Sequence, residues 1–178
     1  MFDLFKNILL SFKLKKSLKT LQNQKKKKIT SFKSLLIIVY ENDLDEDFFL
    51  SFTKNLKIPT NNVYIIVLNQ NKIDFTETRF KRKIYISKDE ISMTGNIKKE
   101  INYFFNQKYD LLINFFDQNE ILSELISSKC FSKLRIGFSK ANPQINDIVF
   151  NFGLNEKRTF LSESMNYLNS FIKQKNEF

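Results

Sequence analysis

From residue 34 onward the chain alternates short, nearly continuous apolar runs with stretches whose apolar residues recur every three or four positions. The runs Leu35 to Tyr40 (LLIIVY), Val63 to Leu68 (VYIIVL), Lys83 to Ser87 (KIYIS), Asp110 to Phe116 (DLLINFF), Leu134 to Phe138 (LRIGF) and Ile148 to Phe152 (IVFNF) read as strands. Strands apolar on successive residues, rather than alternate ones, suit a sheet covered on both faces. Between them lie helical periods: Phe48, Phe49, Phe52 and Leu56; Ile97, Ile101, Phe104 and Phe105; Ile121, Leu122, Leu125 and Ile126; and Leu161, Met165, Leu168 and Ile172. This alternation predicts a three-layer α/β fold around a mainly parallel, Rossmann-like sheet of five to six strands. The link between the second and third strands carries no clear helix, so a hairpin or an irregular crossover is expected there.

Residues 2 to 21 read as a further helix. At 100° per residue Phe2, Phe5, Ile8, Leu9 and Phe12 share one face, onto which Lys16 and Lys19 then fall, while Leu10, Leu14, Leu18 and Leu21 form a second stripe. The expected organisation is a basic amphipathic helical arm over residues 1–29, followed by a single α/β domain over residues 30–178.

Charge sharpens that division. Of the chain's net +10, residues 1 to 33 contribute +9, from ten lysines (among them Lys6, Lys13, Lys15, Lys16, Lys19 and the run Lys25, Lys26, Lys27, Lys28) against the single acid Asp3. The remaining 145 residues are nearly neutral, so the basic excess is one-ended and points to an anionic partner.

Other chemistry is excluded by what the chain lacks. It has no histidine and a single cysteine, Cys130, so imidazole-based catalysis, cysteine zinc clusters and an intrachain disulfide are all ruled out. The three glycines, Gly95, Gly137 and Gly153, are isolated, and no phosphate-binding glycine loop can be written. Thr94-Gly95-Asn96 reads as an N-cap and turn, with anion binding by its backbone as the less favoured alternative. The start of the chain does not read as a cleavable leader, and no run nears the ~20 apolar residues of a membrane-spanning helix, so neither is expected. A cytoplasmic protein, free or peripheral to the inner membrane, is expected.

The segments Tyr109 to Phe116 (YDLLINFF), Ser132 to Ser139 (SKLRIGFS) and Asn146 to Phe152 (NDIVFNF) resemble a family of short, uncharacterised Bacteroidota proteins. The resemblance covers nearly the whole chain and implies the fold, but carries over no catalytic residue. The YDLLINFF to LRIGF segment also resembles part of the N-terminal half of lipopolysaccharide heptosyltransferases. Those enzymes need a second, nucleotide-sugar-binding domain, and these 178 residues are not expected to supply one.

Two constellations remain. The acidic run Glu41, Asp43, Asp45, Glu46 and Asp47 (ENDLDED) follows the first strand, and Asp117 follows the fourth. In a doubly wound sheet the ligand crevice lies at such carboxyl ends, so Glu41, Asp43 and Asp117 form a candidate Mg²⁺ site for a small-ligand, phosphoryl- or glycosyl-transfer reading. The competing reading, that Asn42 or Asp43 caps the next helix and the following acids complement its dipole, needs no ligand and is preferred.

The second constellation is cationic. Arg79, Lys81, Arg82 and Lys83 (RFKRK) lead into the third strand, and Lys129, Lys133 and Arg135 into the fifth; parallel strands would gather them, with Lys25 to Lys28, at one sheet edge. Phe80, interleaved with basic groups, is a candidate for stacking on a base and equally a core residue. For the arm three readings compete: lysines neutralising RNA phosphates, an interfacial helix with Phe2, Phe5, Ile8, Leu9 and Phe12 in a lipid headgroup region, or an apolar stripe docked on the body with solvated lysines. Lysine rather than arginine argues against bidentate, sequence-specific recognition of DNA. The function expected is thus that of a non-enzymatic adaptor without cofactor, held to RNA, a ribosome-like assembly or an anionic membrane by its basic N-terminus.

Overall fold

The computed structural model describes residues 2–24, 29–69, 79–87, 90, 92, 96 and 99–173, with side chains described from residue 6 to residue 172 of that set. Within it run α1 (Phe2–Gln22), β1 (Leu35–Tyr40), α2 (Glu46–Asn55), β2 (Val63–Asn69), β3 (Lys83–Ser87), α3 (Asn102–Phe105), β4 (Lys108–Phe115), α4 (Ile121–Lys129), β5 (Phe131–Phe138), β6 (Ile148–Phe150) and α5 (Lys157–Lys173). The six strands form one sheet in the order β3-β2-β1-β4-β5-β6, and every neighbouring pair is parallel. Strand order therefore reverses between β1 and β4, the position at which doubly wound sheets hold ligands.

Parallel pairing of β2 with β3, with Ile65 opposite Lys83, excludes the hairpin considered for that link. The connection is a crossover, most of which lies outside the described residues. The second helical period, Ile97, Ile101, Phe104 and Phe105, is shorter than expected: a 3-10 turn over Lys99–Ile101 feeds the single turn of α3, and Ile97 lies outside the described residues.

The central strands divide their side chains between two covered faces. Leu36 and Ile38 join Leu112, Phe116, Leu122, Leu125 and Ile126 in a core beneath α1, α3 and α4. Leu35, Ile37 and Val39 face the opposite way, with Phe49, Phe52, Phe115, Phe138 and Phe160 beneath α2 and α5. Phe160 is the hub of the second core, meeting Phe115 edge-on at 5.4 Å and stacking on Phe138 at 5.1 Å. The aromatic content thus goes largely into packing. Phe80 is fully buried in the same core, which removes it as a stacking platform for a base.

Helix ends follow local chemistry. Glu41–Asp43 form a 3-10 turn, so neither Asn42 nor Asp43 is the cap of α2; Asp45 is, its carboxylate accepting from the Phe48 N–H at 2.9 Å. The chain must first turn away from the strand end, and only then can a residue take the extended backbone that an N-cap needs. At the other end Lys57 adopts φ of 56°, its N–H donating to the Lys54 oxygen and the Ile58 N–H to that of Thr53. This paired pattern closes the helix and seats buried Ile58 against the core.

Candidate functional site

Four leucines decide how α1 sits. Leu10, Leu14, Leu18 and Leu21 recur at intervals of four, four and three, and all four are buried. The first three belong to the core shared with α4, against which α1 packs, and α1 also touches the 3-10 turn Pro143–Ile145. The small side chains Ser123, Ser127 and Ser128 of α4 are buried, as is every α4 residue from Leu122 to Ser128.

Docking by the leucine stripe turns the other apolar stripe outward. Ile8 is 47% and Phe12 66% exposed, and Leu9 is half-buried, while the side chains of Phe2 and Phe5 lie outside the described set. Lys15, Lys16 and Lys19 are also exposed, and no carboxylate among the described residues pairs with any of them. Lys13 donates to the side-chain oxygen of Asn96 at 3.0 Å, and Lys6 has a partner of its own. Lys25 to Lys28 lie outside the described residues, but Leu21 before them and Ile29 after them are both buried.

A second cation approaches from α4. Burial lowers the pKa of Lys129 below the usual lysine value, and the charge of Lys13 lowers it further. Its ammonium lies 5.5 Å from the Phe105 ring, which offsets part of that cost. Two like charges meet across the α1–α4 seam.

The RFKRK segment is differently placed. Arg79 pairs with Asp47 and its N–H donates to the Glu46 carboxylate; the Lys83 ammonium reaches the same carboxylate at 2.9 Å. Hydrogen bonding to Glu46 raises the pKa of Lys83 despite the burial that opposes it. Arg82 donates to the Tyr64 hydroxyl and lies over that ring, which leaves Lys81 exposed. These cations meet the acids that open α2, so the expected separation of basic and acidic edges is broken here. It is broken again at the start of β4, where Asp110 accepts from the Lys33 and Ser34 N–H groups and forms an ion pair with Lys133 at 2.6 Å.

Arg135, grouped in the sequence with the basic edge, is buried instead. It donates from Nε to the Ile145 oxygen at 2.6 Å, from Nη1 to the Cys130 oxygen at 2.9 Å, and from Nη2 to the Ser127 oxygen and hydroxyl. Burial pulls its pKa down to about 10. The guanidinium caps the carbonyl end of α4, where the helix dipole favours a cation, and has no surface left for a partner. The adjacent Cys130 thiol is buried, and its pKa is pushed up to about 12, so it is not a nucleophile.

At the switch point Asp43 and Asp117 come within electrostatic reach. Burial raises the Asp43 pKa, the Asp117 charge raises it further, and Lys157 opposes both. Lys157 itself bonds Asp45 at 2.8 Å and lowers that carboxyl's pKa, with help from the Phe48 N–H. Among the described residues no group of three or more His, Cys, Asp or Glu side chains is arranged to hold a metal ion, so Glu41, Asp43 and Asp117 do not converge as a cage. Beside them stand polar groups that escaped the sequence reading. Asn114 donates to the Asn146 side-chain oxygen at 2.8 Å, leaving Asn114 Oδ1 and Asn146 Nδ2 unpaired. The one available signal was Asn114 interrupting an otherwise apolar strand, LLINFF.

A family model described as a family of unknown function, DUF6913, matches residues 6–171. The chain belongs to that family. The matched span runs from the first turns of α1 into α5, so the docked helix is part of the unit that the family describes. No curated protein and no solved structure matches the chain.

Proposed function

We propose that this protein is a non-enzymatic cytoplasmic adaptor that docks on a phosphate-bearing anionic surface through the solvent side of α1. The observation that carries this reading is the division of labour on one helix: leucines consumed by packing, and Lys15, Lys16 and Lys19 left exposed with no carboxylate partner among the described residues. Unpaired lysines beside one another raise the local potential, and an anion relieves the repulsion. The Lys13–Lys129 approach adds to it, whereas Arg79 and Lys83, already engaged by Asp47 and Glu46, contribute less.

Because Leu10, Leu14 and Leu18 are core residues, removing residues 1–29 would expose apolar surface and confuse the test. The experiment is instead the full chain against its Lys15→Gln/Lys16→Gln/Lys19→Gln variant, on single-stranded RNA and on phosphatidylglycerol vesicles across a salt series. Salt-sensitive binding to at least one of them, lost in the variant, is expected; binding to neither, or binding unchanged by the three substitutions, overturns the reading.

A second reading is favoured by the reversal of strand order beside Asp43 and Asp117: a small-ligand or nucleotide domain, or a divergent phosphoryl- or glycosyl-transfer enzyme, with Mg²⁺ brought by the ligand. The likeness of YDLLINFF to LRIGF to heptosyltransferases belongs with this reading, and that of the chain to Bacteroidota proteins fits either one. Calorimetry with Mg²⁺-nucleotides on the wild type and on Asp43→Asn/Asp117→Asn separates it from the first.

A further inference from the structure

We propose that the surface α1 meets is an anionic phospholipid bilayer, and that the helix enters it obliquely with its amino end deeper. This rests on the reading above and names its partner.

The argument starts from register. Ile8, Phe12, Lys16 and Lys19 follow one another at intervals of four, four and three residues, so they form a single row on the side of α1 opposite the buried leucines. That row is segregated along the helix axis: two large apolar side chains on the amino half, two ammonium groups on the carboxyl half, with Lys15 alongside. At 1.5 Å per residue, the step from Phe12 to Lys19 spans roughly 10 Å, comparable to the depth between headgroup phosphates and the acyl boundary. A tilted helix satisfies both ends at once. Phe12 and Ile8 leave water, and the lysines stay at phosphate level with their methylene stems lying along the interface.

An RNA backbone accounts for only half of this row. Phosphates take lysines and the Phe12 ring offers one face to a base, but Ile8 at the amino end of the row offers nothing to stack on, and Phe80, the one aromatic with a basic residue on either side, is buried. Charge complementarity gives the lipid its sign. Lys15, Lys16 and Lys19 have no acid against them among the described residues. No described helix is long and apolar enough to cross a membrane, so contact would be with one leaflet.

Because the chain has no tryptophan, Phe12→Trp introduces a single reporter at a position already exposed. With vesicles of equal parts phosphatidylglycerol and phosphatidylcholine, its emission should shift to the blue and be quenched by lipids brominated on the acyl chain. Ile8→Ser/Phe12→Ser should weaken vesicle binding at least tenfold and leave RNA binding within twofold. Replacing Lys15, Lys16 and Lys19 by glutamine should weaken it by about fivefold per lysine, about a hundredfold together. Circular dichroism confirms that each variant folds. RNA bound while vesicles are not, or vesicle binding indifferent to Ile8 and Phe12, overturns the lipid assignment and leaves the anionic-surface reading standing. Binding to neither removes both.

Discussion

Phe12 and Leu14 are two residues apart on α1 and face opposite ways: Leu14 is buried against the α4 side of the core, and Phe12 is 66% exposed. A helix places residues two apart about 200° from each other, so one cannot be buried by packing on α4 without turning the other outward.

The pair makes a direct stability prediction. Leu14→Ala removes buried methyl groups from a packed core and should cost about 2–4 kcal/mol. Phe12→Ser touches no packed surface and should stay within about 0.5 kcal/mol of wild type. Urea unfolding followed by circular dichroism measures both, and equal losses would mean that α1 is docked by its other face.

Arg135 should be among the most sensitive residues of the domain. Arg135→Met strips donors from the Ser127, Cys130 and Ile145 oxygens at once and should destabilise by at least about 3 kcal/mol. Arg135→Lys keeps the charge but not the fork, so it should recover little of that loss. The same unfolding assay compares the two; full rescue by lysine would show that charge alone matters.

Gly137 is required for space rather than for backbone freedom. A Cβ there would lie 2.6 Å from the side-chain amide of Asn146, which Asn114 holds in place. Gly137→Ala should therefore cost about 1–3 kcal/mol, and combining it with Asn146→Ala should cost less than the two changes added. A double-mutant cycle on thermal midpoints checks this coupling.

The acidic switch point predicts a pH dependence with a definite sign. Asp43 has a pKa raised above 3.8 in the folded chain, by burial and then by Asp117, so its ionisation disfavours folding. That penalty is fully present above the folded pKa and vanishes as pH falls below the unfolded value. Asp43→Asn should accordingly be more stable than wild type at pH 7, with the advantage shrinking as the pH drops towards 4. Thermal unfolding of both proteins across that range would refute the assignment if the gap stayed constant or widened.

Much of the fold was legible along the chain. The boundaries of β1 and β3 coincide with the expected ones; for β1 the reason is that a strand covered on both faces has no polar positions to blur its ends. β5 begins three residues before its expected start, since alternating burial at Phe131, Ser132 and Lys133 hides the strand from a search for continuous hydrophobicity. The candidate site was legible only in part. Both stripes of α1 were visible, yet which one docks depends on the surface α4 presents, and that surface is assembled only on folding.

Local pattern by itself determined that this chain is an α/β protein with its charge excess at the amino end, because periodicity and net charge are sums over neighbours in sequence. Tertiary structure decided which basic groups remain available. Arg79 and Lys83 meet Asp47 and Glu46 more than thirty residues away, and Arg135 is drawn inside to cap α4, while Lys15, Lys16 and Lys19 face solvent beside Ile8 and Phe12. Pairing between charges distant in sequence is a property of how layers pack, and no stretch of the chain contains it.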